Sequence, residues 1–82
     1  MNSVEHFWSW LQFARPTFAE FCRVTAVSIE GESSYNRATQ YTLRLKDRFY
    51  RARVYSQTDW SLSHYSLDGR SWKPLGWRRK RG

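Results

Sequence analysis

Residues 41–56 read YTLRLKDRFYRARVYS, two runs of alternating apolar and polar residues around a charged centre. Period-two alternation marks a strand with one buried face and one wet face, so the stretch predicts an antiparallel hairpin. A two-residue turn at Asp47-Arg48 sets Leu45 against Tyr50, Leu43 against Ala52 and Tyr41 against Val54 on one face. The opposite face then has Lys46 beside Phe49, Arg44 opposite Arg51, Thr42 beside Arg53 and Gln40 beside Tyr55. Asp-Arg is poorer turn chemistry than Asn-Gly. A longer loop is the alternative, and only an even shift of register keeps the apolar residues together.

The alternation reaches back to Tyr35, which predicts a strand over 35–46. Before it, EGESSYN reads as a polar loop. Val24, Thr25, Val27 and Ile29 have strand propensity, and Gly31 ends that run; Phe18 and Phe21 fit a short helical turn ahead of it. The chain opens with NSVEHFWSWLQFARP. Ser3 suits an N-cap, Glu5 the first turn, and Pro16 a stop. Phe7, Trp10, Leu11 and Ala14 form an apolar stripe that Trp8 and Phe13 widen. A helix this short has to dock on something, and a sheet face is the expected seat.

Downstream, HYSLDGRSWK places Asp68-Gly69 between two alternating runs, a favoured two-residue turn. It pairs Leu67 with Arg70, Tyr65 with Trp72, His64 with Lys73, Leu62 with Leu75 and Trp60 with Trp77. The connection QTD has two or three residues, which leaves open which face of this hairpin looks inward. Pro74 cannot donate to a ladder, so the last strand belongs at an edge. The expected fold is α+β: an N-terminal helix packed on a four- to five-stranded antiparallel meander. Residues 1–77 form one compact domain and RRKRG, 78–82, a basic C-terminal tail.

A chain of 82 residues supports a single domain, and aromatics at 18% allow a small core to bury a large area. Cys22 is the only cysteine, which excludes an internal disulfide and a multi-cysteine zinc site and suits a reducing compartment. The N-terminus shows no basic stretch followed by an apolar run, and no segment is long and apolar enough to span a membrane. A cytoplasmic protein is the expectation.

The net charge of +7 is uneven. Residues 1–41 hold three Arg against four Glu, and residues 42–82 hold eleven Lys plus Arg against three Asp. One basic surface facing a polyanion is implied. Arg outnumbers Lys eleven to three, which favours bidentate phosphate contacts and stacking over mere solubility.

The candidate site is the polar face of the 41–56 hairpin: Arg44, Lys46, Arg51 and Arg53 with Phe49 and Tyr55 among them. The cations would hold phosphates and the rings would stack on bases. Arg78, Arg79, Lys80 and Arg81 would add charge without sequence information. Cations on such a face also prevent sheet-to-sheet association, the structural alternative. Trp60 and Trp77 are either core or a second stacking platform beside the tail. Cys22 reads as a small buried hydrophobe.

No Gly-rich phosphate loop exists, and two His 58 residues apart with one Cys do not make a zinc site. No cofactor is expected. Catalysis has only His64 to rest on, near Arg53 through a Thr58-Asp59 turn, and the chain is read as a non-enzyme. The double-stranded RNA-binding domain needs a C-terminal helix where this chain has Asp-Gly, Pro74 and Gly76. The leading expectation is a non-catalytic binder of RNA or single-stranded DNA. The alternative is a small protein–protein interaction module with an acidic partner, such as a phage or mobile-element accessory that inhibits or remodels a host complex. Oligomeric state is unspecified.

Overall fold

A computed structural model describes residues 3–79, with side chains from residue 7 onward. Two helices, α1 (Ser3–Ala14) and α2 (Phe18–Thr25), precede five strands. These are β1 (Ser28–Tyr35), β2 (Ala38–Leu45), β3 (Arg48–Ser56), β4 (Asp59–Ser66) and β5 (Lys73–Arg79). The strands form one antiparallel sheet in the order β1-β2-β3-β4-β5, and both helices pack on one face of it. No helix among the described residues is long and apolar enough to cross a membrane.

The second helix replaces the strand that Val24 and Thr25 suggested. Thr17 is its N-cap: the hydroxyl accepts from the Glu20 amide at 3.2 Å and donates to the Glu20 carboxylate at 3.1 Å. This Thr-x-x-Glu start satisfies an orphan donor and outweighs β-branched propensity in the following turns. Ala26, left-handed at φ 56°, closes the helix. Phe18 and Phe21, one turn apart, are both buried.

The strand forecast over 35–46 is interrupted at Asn36-Arg37, where Asn36 takes φ 52°. Asn tolerates the left-handed region well. The stretch expected as a loop is β1, an edge strand exposed along nearly its whole length. With neither face covered, it has no reason to alternate.

The β2–β3 turn is Lys46-Asp47, so the register differs by two from a turn at Asp47-Arg48. Leu43 faces Tyr50, Tyr41 faces Ala52, and Arg44 faces Phe49 in place of Arg51. The even shift keeps every apolar residue on its face while separating the two arginines. Repulsion between directly opposed arginines favours this register over the other. Lys46 adopts φ 59° to make the turn.

The 67–72 connection is a six-residue loop instead of a two-residue turn. Ser66 is buried, and its hydroxyl accepts from the Gly69 amide at 2.8 Å. The Asp68 carboxylate accepts from the amides of Arg70 and Ser71 at 2.8 and 2.9 Å. An Asp side chain that bonds the following backbone builds its own turn and competes with a tight hairpin. Strand β5 runs to Arg79, so Arg78 and Arg79 belong to the sheet and the domain extends past residue 77.

Leu11, Phe18 and Phe21 meet Leu43, Tyr50, Ala52, Trp60 and Leu62 in the core. Trp60 is fully buried, and its indole donates to the Pro16 carbonyl at 3.1 Å. Gln57 reinforces this seam, accepting from the Phe18 amide through its carbonyl and from the Ala19 amide through its side chain. Arg79 completes it by donating to the carbonyls of Arg15 and Thr58. The helix pair is thus fastened to one end of the sheet, which leaves the far face uncovered.

Candidate nucleic-acid interface

Register decides which side chains share the uncovered face. From β3 come Phe49, Arg51, Arg53 and Tyr55, alternating with the buried Tyr50 and Ala52. Across from them lie Arg44, Thr42 and Gln40 of β2 and Ser66, His64 and Ser61 of β4. Tyr35 of β1 and Arg78 of β5 complete the set through their contacts.

Each arginine on this face lies against an aromatic ring. The guanidinium carbon of Arg53 is 3.9 Å from the Tyr35 ring centre, and that of Arg51 is 4.2 Å from Trp72. Arg78 lies 5.4 Å from Tyr55 and Arg44 lies 5.8 Å from Phe49. Such pairs contribute about 0.5–1 kcal/mol each where exposed and more where water is excluded. They also fix long side chains that would otherwise lose rotamer freedom on binding.

Among the described residues, only Arg78 of these four has a carboxylate partner, Asp59 at 3.0 Å. The Nε of Arg53 donates to the Gln40 side chain at 3.2 Å, and that of Arg44 to the Lys46 carbonyl at 3.1 Å. Arg51 is the most confined: its Nε is buried and has no hydrogen-bond partner among the described residues. A buried donor without an acceptor costs about 1–3 kcal/mol, more when charged. Three guanidinium groups therefore stand on one face with no acidic partner within 4.0 Å among the described residues.

Of the residues singled out from the sequence, Arg44, Phe49, Arg51, Arg53, Tyr55 and Arg78 come together here. Lys46 does not: it sits in the β2–β3 turn and lines a different hollow, about 320 Å³, with Phe7, Leu45 and Tyr50 on the helix side. Arg79 opposes Trp60 in the ladder and is committed to the helix seam. Lys80 and Arg81 lie outside the described residues. Phe49 is not a free platform, since Arg44 covers it and the Gly69 backbone packs close to its ring.

Trp60 and Trp77 are core, with ring centres 4.8 Å apart on the helix side. His64 faces Arg51 in place of Arg53, because the β3–β4 turn falls at Gln57-Thr58. Burial, then the charges of Arg53 and Arg51, hold its pKa below the usual imidazole range. Cys22 is half-buried against the core, and burial pushes its thiol up, away from reactivity.

Two contributors were missed in the sequence: Tyr35, assigned to the start of a long strand, and Trp72, assigned to a tight hairpin. The signal for Trp72 was Ser66-x-Asp68, whose side chains build a wider loop and swing the ring over Arg51. Comparison of the chain with protein-family models, curated proteins and solved structures finds no match.

Proposed function

We propose that the open face of the sheet binds single-stranded nucleic acid, RNA or single-stranded DNA, without cleaving it. The observation that carries this is the trio Arg44, Arg51 and Arg53, each braced on a ring and none neutralised by a carboxylate among the described residues. Guanidinium groups held in place keep donor edges for phosphates, while their planes and the exposed rings of Tyr35 and Tyr55 offer stacking surfaces for bases. Stacking contributes about 1–3 kcal/mol per base and tolerates any sequence. A duplex keeps its bases stacked inside and would leave those surfaces unused, so unpaired strands are the favoured partner.

Fluorescence anisotropy with labelled single-stranded RNA, single-stranded DNA and duplex tests the proposal. Releasing counterions at three phosphates of a single strand gives a salt slope near −2, so raising salt from about 50 to 200 mM lowers affinity roughly 20-fold. Duplex is expected to bind more weakly than either strand. Absence of binding at low salt overturns the proposal and favours an acidic protein as the partner of these cations. Strand cleavage during the titration overturns its non-catalytic part.

A further inference from the structure

The ladders on both sides of β4 break at one place. Against β3, Ser63 is an extra residue between the pairs Arg51–His64 and Ala52–Leu62. Against β5, that same β4 position faces two residues, between the pairs Leu62–Trp77 and His64–Pro74. The β5 side of this double irregularity contains Gly76 at φ 76°, a conformation that glycine adopts without strain. Bulges bend a strand and re-aim its side chains, and they gather beside functional sites. Here they accompany a hollow of about 360 Å³ in the open face. Its polar wall is Arg53, Ser61, Ser63, His64 and Arg78.

The donors in this wall are only partly spent. Arg53 uses its Nε on Gln40, and its terminal nitrogens have no hydrogen-bond partner among the described residues. The Ser61 hydroxyl likewise has none. Ser63 donates its hydroxyl to the Arg51 carbonyl at 3.3 Å and lies 2.9 Å from His64 Nδ1. With that hydroxyl proton committed, the imidazole donates from Nδ1, and Nε2 carries the lone pair in the neutral ring. Arg78 is offset by Asp59, so the wall has one uncompensated positive charge with His64 neutral and two with it protonated.

We propose that this hollow seats one backbone phosphate of a bound strand, gripped by Arg53, Ser61 and His64, and that proton uptake at His64 tightens the grip as pH falls. This rests on the single-strand reading of the open face. The charged groups around His64 are Arg51 and Arg53 from β3 and Arg78 with Asp59 across β4 and β5; Pro74 and Gly76 add none. In the free protein those arginines disfavour the imidazolium. A phosphate placed among them reverses the local sign, so the bound state takes up the proton more readily. Affinity must then rise on acidification, by linkage.

The test follows the His64 ring by NMR across about pH 5 to 8, where imidazole titrates. It is run in a His6→Gln background on the free protein, with decathymidylate, and with inorganic phosphate at matched phosphate concentration. Neither thymine nor a phosphodiester changes charge in that range, so the oligonucleotide adds no titration of its own. Decathymidylate is expected to move the His64 titration upward. Its affinity should rise about threefold or more between pH 7.5 and 5.5, with a flat profile in His64→Gln.

A His64 titration unmoved by an oligonucleotide that binds overturns the hollow and leaves the open-face reading intact. No binding at any pH overturns both. An equal upward move with inorganic phosphate overturns the backbone assignment in favour of a free-phosphate site.

Discussion

Both faces of the sheet are built around aromatic rings, and they differ in what lies against those rings. On the helix side ring meets ring: Phe18 stacks on Tyr41 at 5.2 Å, and Trp60 packs between Phe21 and Trp77 at 4.9 and 4.8 Å. On the open side cation meets ring, four times over. A two-layer protein of this size has too few residues to cover both faces of its sheet. Arginines laid over the rings shield apolar surface on the uncovered face while keeping their charge in water. Shielding alone would accept carboxylates as partners, and Arg44, Arg51 and Arg53 have none among the described residues. That difference separates a solubilised surface from one set up for an anion.

Substitutions on the two faces should therefore fail in different assays. Trp60→Ala removes a fully buried ring and its bond to Pro16. It is expected to cost roughly 3–5 kcal/mol in urea denaturation, a large share of the stability of so small a domain. Arg51→Glu/Arg53→Glu should cut oligonucleotide affinity by about 100-fold at low salt and flatten the salt slope. The melting temperature should move far less than in Trp60→Ala. A collapse of the fold instead would mean that the arginine layer is chiefly structural.

Gly69→Ala places a Cβ 3.4 Å from the Phe49 ring at a backbone φ of 79°. It should destabilise by about 1 kcal/mol and loosen the loop that carries Trp72. Thr17→Ala, on the other side of the sheet, should cost about 1 kcal/mol through the lost N-cap and leave binding unchanged.

The smallest effect concerns pH. Hydrogen bonds donated by the Ser71 and Arg70 amides and by the Ser66 hydroxyl hold the Asp68 carboxyl below the usual carboxylate range. A depressed carboxylate contributes its stability above the unfolded-state value and loses it as pH falls through the folded-state value. The Trp72 loop should stay fixed at neutral pH and loosen only in strong acid, seen as a Trp72 fluorescence change that Asp68→Asn abolishes.

The legible parts of this molecule were those where one side of an element is buried. Tyr41, Leu43, Tyr50 and Ala52 alternate because the core demands it, and the helical stripe of Phe7, Trp10 and Leu11 has the same origin. Three of the predicted cations, Arg44, Arg51 and Arg53, followed from the same alternation once the sheet formed, whereas Arg78, read as part of a tail, joins them through β5. What escaped was set by backbone conformation without a periodic trace. Lys46 in a left-handed turn moved the β2–β3 register by two and separated Arg44 from Arg51. Strand β1 has no buried face to write a pattern. Trp72 reaches the site through a loop shaped by two side chains, Ser66 and Asp68, and Arg79 joins the seam through carbonyls that no sequence pattern marks.

The five tryptophans offer the most direct test, because four of them, Trp8, Trp10, Trp60 and Trp77, pack on the helix side and Trp72 lies over Arg51 on the open face. Fluorine NMR of 5-fluorotryptophan protein, assigned by single Trp→Phe variants, reads both faces at once during titration with decathymidylate. The Trp72 signal is expected to move with occupancy while those of Trp8, Trp10 and Trp60 stay in place; Trp77 also lines the phosphate hollow and moves with Trp72 when that hollow is filled. Binding that shifts the Trp8, Trp10 or Trp60 signals and leaves Trp72 untouched would contradict an open-face site.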